Sequence, residues 1–154
     1  MKTPLSKPGG FTLIEIMMVV AIIGLTLTMG LPSFYHSLHK EGMAKAESEL
    51  VEACQNARRD AIMRNHTAEM VINPLDGTFQ VPGAYDLKEL PSDVRIDILG
   101  VNFIDLTKAA EARVHFFSNG TSDEFTIVIS SADGAVRQID LDTIAALPVV
   151  KTIR

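Results

Sequence analysis

The sequence predicts an α+β protein in which a long amino-terminal helix, suited in its first half to a membrane, packs on a small antiparallel β-sheet head. Three observations predict it. Residues 11–31 form an almost uninterrupted apolar run, residues 33–66 repeat apolar positions at helical spacing, and from residue 67 onward short alternating segments are separated by turn sequences. A chain of 154 residues suits one modest domain with an appendage and leaves no room for two.

The apolar run, at about 1.5 Å per residue, makes a helix of roughly 30 Å, the thickness of a bilayer's hydrocarbon core. Lys2 and Lys7 precede it and hold that flank inside, as positive charge beside a membrane segment does. A cleaved secretory signal would have a shorter apolar stretch and a small-x-small site, whereas only a weak Thr28-Met29-Gly30 match follows here. A plain anchor leaves Glu15 unexplained. An isolated carboxylate in an apolar helix costs about 2.5 kcal/mol or more unless it is paired or stays near the interface. Gly24 and Pro32 weaken the same helix, since proline removes a hydrogen bond and glycine costs about 1 kcal/mol in a helix interior. They predict a kink or a locally melted stretch, or simply a bent membrane helix.

Beyond Pro32 the pattern turns amphipathic. Leu50, Ala53, Cys54, Ala57 and Ala61 recur on one face, with Glu47, Glu49, Glu52, Arg58, Arg59 and Asp60 mostly on others. The helix is expected to reach Arg64 or Asn65, about 80 Å of rod from residue 11. Gly42 marks a bend or is simply tolerated. Strands are predicted at 68–73 and 78–81 around the turn Pro74-Leu75-Asp76-Gly77, then at 94–99, 113–117, 125–130 and 135–141. In the segment 94–99, Val94, Ile96 and Ile98 alternate with Arg95 and Asp97 and so should share one face. Residues 105–112 suggest a helical turn, Asn119-Gly120 a hairpin turn, and residues 143–154 a short helix or loop ending in a strand at 149–153.

The chemistry-bearing residues form no catalytic set. There is no GxSxG elbow and no phosphate-cradling glycine loop. His36 and His39 stand three apart, which allows a metal pair, but no third ligand follows at a recognisable spacing, and His66 and His115 stand apart. Asp76, Asp133, Asp140 and Asp142 lie in no EF-hand-like run and read as turn and strand-edge residues. No metal and no cofactor is expected. Cys54 is the single cysteine, so no intramolecular disulfide can form, and its place on the apolar face reads as core.

The segment Gly10-Phe11-Thr12-Leu13-Ile14-Glu15, followed by Ile16-Met17-Met18-Val19-Val20-Ala21-Ile22-Ile23-Gly24-Leu25, resembles the class III signal of type IV pilins and type II secretion pseudopilins. The resemblance implies a pilin-like fold, cleavage by a prepilin peptidase between Gly10 and Phe11, and methylation of the new amino terminus. It also implies that Glu15, at the fifth mature position, pairs with the terminal amine of a neighbouring subunit during assembly. Such a pair offsets the desolvation of both charges. Gly24 and Pro32 fall where the family places helix-weakening residues.

Two further stretches, residues 50–65 and Phe116-Phe117-Ser118-Asn119-Gly120-Thr121 leading into Phe125-Thr126-Ile127-Val128-Ile129, resemble the H-type (GspH-like) minor pseudopilins and FimT-type minor pilins. The expected organisation is a leader at 1–10, a transmembrane and assembly helix at 11–32, its amphipathic continuation at 33–66 and a periplasmic β-rich head at 67–154. The expected role is structural and not enzymatic: a minor pseudopilin that helps initiate or cap the filament driving folded proteins through the outer membrane. The alternative is a FimT-like minor pilin in pilus assembly, twitching or DNA uptake. Expected partners are other major and minor pseudopilins, the prepilin peptidase, the inner-membrane assembly platform and membrane lipid, with the anchor single-pass in a bacterial inner membrane. Nucleic acid is not an expected partner. Removing the two leader lysines leaves 12 basic against 19 acidic residues, a side-chain charge of −7, and the tail offers only Lys151 and Arg154 for phosphate contacts.

Overall fold

A computed structural model describes residues 11–153, without the side chains of residues 28–40. The chain divides into two compact units between Ser37 and Leu38. One helix, α1 (Leu13–Arg64), supplies residues to both. In the second unit α1 buries Met43, Ala46, Leu50, Ala53, Cys54, Ala57 and Ala61, a stripe at helical spacing that contains every apolar position predicted for this face. Because most of these side chains end at Cβ, the sheets can approach the helix axis closely. Asp60 departs from the prediction. It is buried on the inner side, where its carboxylate meets Arg64 Nε at 3.0 Å and His66 Nε2 at 3.3 Å. A buried charge is tolerated only with such partners.

The helix stops where Asn65 takes a left-handed conformation, φ 51°. His66 N–H then donates to the Ala61 carbonyl at 3.1 Å and Asn65 N–H to that of Ile62 at 3.4 Å, which closes a Schellman cap.

Nine strands follow among the described residues: β1 (Ala68–Asn73), β2 (Thr78–Val81), β3 (Tyr85–Glu89), β4 (Val94–Val101), β5 (Ile104–Asp105), β6 (Ala112–Phe116), β7 (Phe125–Ser131), β8 (Val136–Asp142) and β9 (Leu147–Thr152). They form two sheets instead of one, ordered β3-β2-β1-β6 and β5-β4-β7-β8-β9, with antiparallel pairing throughout. Phe79, Phe116 and Phe125 are the largest fully buried side chains and join α1 and both sheets in one core.

The β1–β2 hairpin forms as its turn sequence requires. Asn73 Oδ1 accepts from the N–H groups of Leu75 and Asp76 at 3.1 and 3.2 Å, and Gly77 supplies a positive φ of 65°. Strand β3 carries no apolar alternation because it is an edge, exposed along most of its length and anchored by Tyr85 stacked on Phe79 at 6.3 Å.

Several expectations are corrected. The pairing of β4 with β7 shifts between Ile96 and Ile98, so Asp97 is the extra residue of a β-bulge, Ile98 faces outward and Leu99 faces the core. Residues 105–112 form no helix; they hold part of β5 and a turn in which Asp105 accepts from both the N–H and the hydroxyl of Thr107. Asn119-Gly120 closes only an isolated bridge, Phe116 with Ser122. The chain then crosses from β6 in one sheet to β7 in the other, so the two strands are not hairpin partners. The tail takes the loop alternative of the two expected, a turn followed by β9, with no helix among the described residues. Gly42 is a site of close approach: a Cβ there would lie 2.6 Å from both carboxylate oxygens of Asp93.

Candidate assembly site

The first turn of α1 holds one of the predicted site residues, Glu15, against one that the sequence reading overlooked, Thr12. Thr12 is the N-cap. Its carbonyl accepts from Glu15 N–H at 3.1 Å and from Ile16 N–H at 3.3 Å, and its hydroxyl accepts from Glu15 N–H at 3.4 Å. The Thr-x-x-Glu spacing is the sequence signature of a capping box and could have revealed it. Glu15 thus stands at the third helical position, four residues from Phe11, where the helix's partial positive charge favours a carboxylate by about 0.3–1 kcal/mol. That is less than the roughly 2.5 kcal/mol an apolar surrounding costs it, so the cap alone does not offset that cost.

From Phe11 to Leu27 every large apolar side chain is at least 47% exposed. A helix apolar all round, with no cover among the described residues, has surface to bury in lipid or against other helices. The one hydroxyl between Leu13 and Leu27 is already satisfied: Thr26 Oγ1 donates to the carbonyls of Ile22 and Ile23 at 3.1 and 2.9 Å. A Cβ at Gly24 would meet nothing within 4 Å among the described residues, so none of their packing requires glycine there. The helix runs on through Pro32; the Pro32 side chain, those of His36 and His39, and the whole of Gly10 lie outside the described residues. Among the described residues no helix is long and apolar enough to cross a membrane; residues 28–31 of the expected span are among those whose side chains are not described.

In the head, several polar side chains are engaged in holding the fold. Arg58 Nε donates to the Ala145 carbonyl at 2.8 Å and ties the tail turn to α1, and Glu47 meets Arg137 of β8 at 3.4 Å. His115 Nδ1 lies 2.6 Å from Asp123 Oδ2, which also accepts the His115 backbone N–H at 3.0 Å. Lys151 Nζ is held by Asp140 at 2.7 Å. Burial pushes the Cys54 thiol up to about 12, so at neutral pH it has no thiolate to act with. Among the described residues no group of three or more His, Cys, Asp or Glu could hold a metal ion.

Residues 5–31 match the family model described as the prokaryotic N-terminal methylation motif. No curated protein and no solved structure matches the chain. The matched segment contains Gly10, Phe11, Thr12 and Glu15 and reaches through the exposed apolar part of α1. The chain carries at its amino terminus the methylation signal of type IV pilins and pseudopilins, which implies a membrane-anchored precursor destined for a structural role in a filament.

Proposed function

We propose that the protein is a minor pseudopilin of a type II secretion system, GspH-like, that helps initiate or cap the periplasmic filament driving folded proteins through the outer membrane. The observation that carries this reading is the methylation motif at residues 5–31, sited on a helix whose lower part is apolar on every side and whose upper part is the spine of a folded head. In this reading residues 1–10 are a leader removed by a prepilin peptidase, residues 11–32 anchor and assemble, residues 33–66 continue the helix and residues 67–154 complete the head in the periplasm. Phe11 becomes a methylated amino terminus, Glu15 neutralises the amine of a neighbour, and Gly24 and Pro32 let the helix bend or loosen as the subunit leaves the bilayer. The open space at Gly24 suits close approach of a neighbouring helix.

The arrangement of the tail speaks against a DNA-binding pilin, because Lys151, one of its two cations, is already held by Asp140. Intact-mass analysis of protein extracted from its native membrane tests the reading: the expected product begins at Phe11 with one added methyl group. A mature terminus near Gly30 would overturn it. Adjacent genes for a secretin, an ATPase and other pseudopilins support secretion, whereas pilus-assembly neighbours and DNA binding with a steep salt dependence would move the protein to the pilus class.

A further inference from the structure

We propose that the head carries the two complementary halves of a head-to-tail contact, an acidic-rimmed aromatic knob at Phe103 and a basic-rimmed apolar groove on α1, through which two copies of this chain dock side by side. The knob is the tip of the β4–β5 hairpin. Val101 pairs with Ile104, so Asn102 and Phe103 form a two-residue turn, with φ values of 49° and 64°. Asparagine tolerates the left-handed region; phenylalanine does not, and glycine is the usual occupant of the second position. The ring gains nothing inside the chain in return, since Phe103 is 93% exposed. Strain of this kind at an exposed apolar side chain points to use. Ile98, turned outward by the bulge, and Ile104 extend the apolar surface around a shallow depression of about 270 Å³, with Asp105 and Glu124 beside them.

The groove lies on the last turns of α1. Gln55, Arg58, Arg59, Ile62 and Met63, one helical face, line it together with Leu147 at the start of β9, and its volume is about 300 Å³. That exceeds the roughly 150 Å³ cavity in which a benzene ring binds. Its apolar floor is open, with Met63 77% exposed, and its charge is opposite to that of the knob. Charge and size together select the occupant: an aromatic flanked by carboxylates suits a groove flanked by guanidiniums.

Topology excludes self-occupancy. Strands β5 and β9 are the two edges of the five-stranded sheet, so the knob and Leu147, the strand residue of the groove, stand four strand spacings apart, roughly 19 Å. A contact between different patches on two identical heads is heterologous and can repeat in an open series. The proposal rests on the filament reading for what holds two copies at high local concentration. It adds that an initiating complex holds this chain as a short run of adjacent copies and not as a lone subunit.

The test uses the full chain in its native membrane, with cysteines placed beside the contact so that its anchors stay intact. Cys54, buried and protonated, needs no replacement. Two tagged variants, Ile104→Cys and Gln55→Cys, are expected to crosslink to each other through a short bis-maleimide, while neither crosslinks to itself. The double variant Ile104→Cys/Gln55→Cys should give a ladder beyond the dimer. Phe103→Gly should lower the yield about tenfold, as loss of a central aromatic anchor does. Arg59→Glu should lower it too, and Asp105→Arg/Glu124→Arg added to Arg59→Glu should restore it. A Val19→Cys variant separately reports helix packing in the filament. If Val19→Cys crosslinks and the head pair does not, the contact is refuted and the filament reading stands. If neither crosslinks, both fall. Dimers without a ladder, or crosslinks from Ile104→Cys to a different protein instead of a second copy, would also overturn the proposal.

Discussion

Replacing Phe103 by glycine should stabilise the head, although it removes the largest kind of apolar side chain the fold uses. The ring is 93% exposed, so deleting it forfeits almost no burial. The backbone at φ 64° costs an L-residue about 1–2 kcal/mol, which glycine avoids. Against this stands the extra freedom of glycine in the unfolded chain, about 0.4–1 kcal/mol. The ties that place the turn survive: Asn102 N–H donates to the Glu124 carbonyl at 3.0 Å, and Asn102 Oδ1 accepts from Glu124 N–H at 3.1 Å. The expected net gain is about 0.5–1 kcal/mol, or a rise in Tm of roughly 2–8 °C for a domain of about 100 residues. A head-specific probe is needed because α1 also has a part outside the head. Cys54 provides one, as the sole thiol in the chain and fully buried in the head's core. Maleimide labelling of the detergent-solubilised full chain against temperature reads its exposure. Phe103→Ala, which keeps the strained backbone and discards the ring, should stay within about 0.5 kcal/mol of the parent. A fall in Tm for Phe103→Gly would refute the strain argument, and a large fall for Phe103→Ala would show that the ring packs against its own chain.

Glu15→Leu should leave the amount of membrane-bound protein unchanged while incorporation into filaments falls. Leaving a neighbour's amine buried alone costs about 3–5 kcal/mol, more than the 2.5 kcal/mol or so gained by removing the carboxylate from an apolar setting; fractionation and crosslinking measured together check it. Native Cys54 should resist thiol reagents at pH 8 and react completely in denaturant, because burial holds its proton until about pH 12; rapid native labelling would refute its place in the core. The head should lose stability below about pH 4. Burial works to raise the Asp123 and Asp140 carboxyls, but hydrogen bonds from Asn102 and His115 to the first, and from Lys151, Gln138 and Thr126 to the second, hold both below the ordinary 3.8. Groups so depressed contribute fully above the unfolded value, and the contribution is lost as pH falls through the folded one. Asp123→Asn/Asp140→Asn should therefore be less stable than the parent at pH 7 and show a shallower decline between pH 4 and 2; an unchanged acid profile would refute the assignment. Phe116→Ala, a fully buried truncation, should cost about 3–5 kcal/mol in the same labelling melt.

The sequence by itself determined whatever depends on neighbours along the chain. The methylation signal is a contiguous string, the stripe from Leu50 to Ala61 repeats with the helix period, and Pro74-Leu75-Asp76-Gly77 makes its turn from the side chain of the adjoining Asn73 and a positive φ at Gly77. The capping role of Thr12 was equally local and was there to be read in the Thr-x-x-Glu spacing. What only the tertiary structure decided are the relations between distant segments. Alternation placed Ile98 inward; pairing with β7 inserted a bulge at Asp97 and turned it out, because register belongs to two strands and not to one. Asn119-Gly120 looked like a hairpin; the packing of two sheets on one helix sent β6 and β7 to different partners. Asp60 carried the period of a solvent-facing charge, yet the helix cap that positions His66 also covers it. The knob at Phe103 and the groove beside Arg59 are invisible in order of residues, since their meaning lies in standing at opposite edges of one sheet, and strand order is fixed by long-range hydrogen bonds that no single segment encodes.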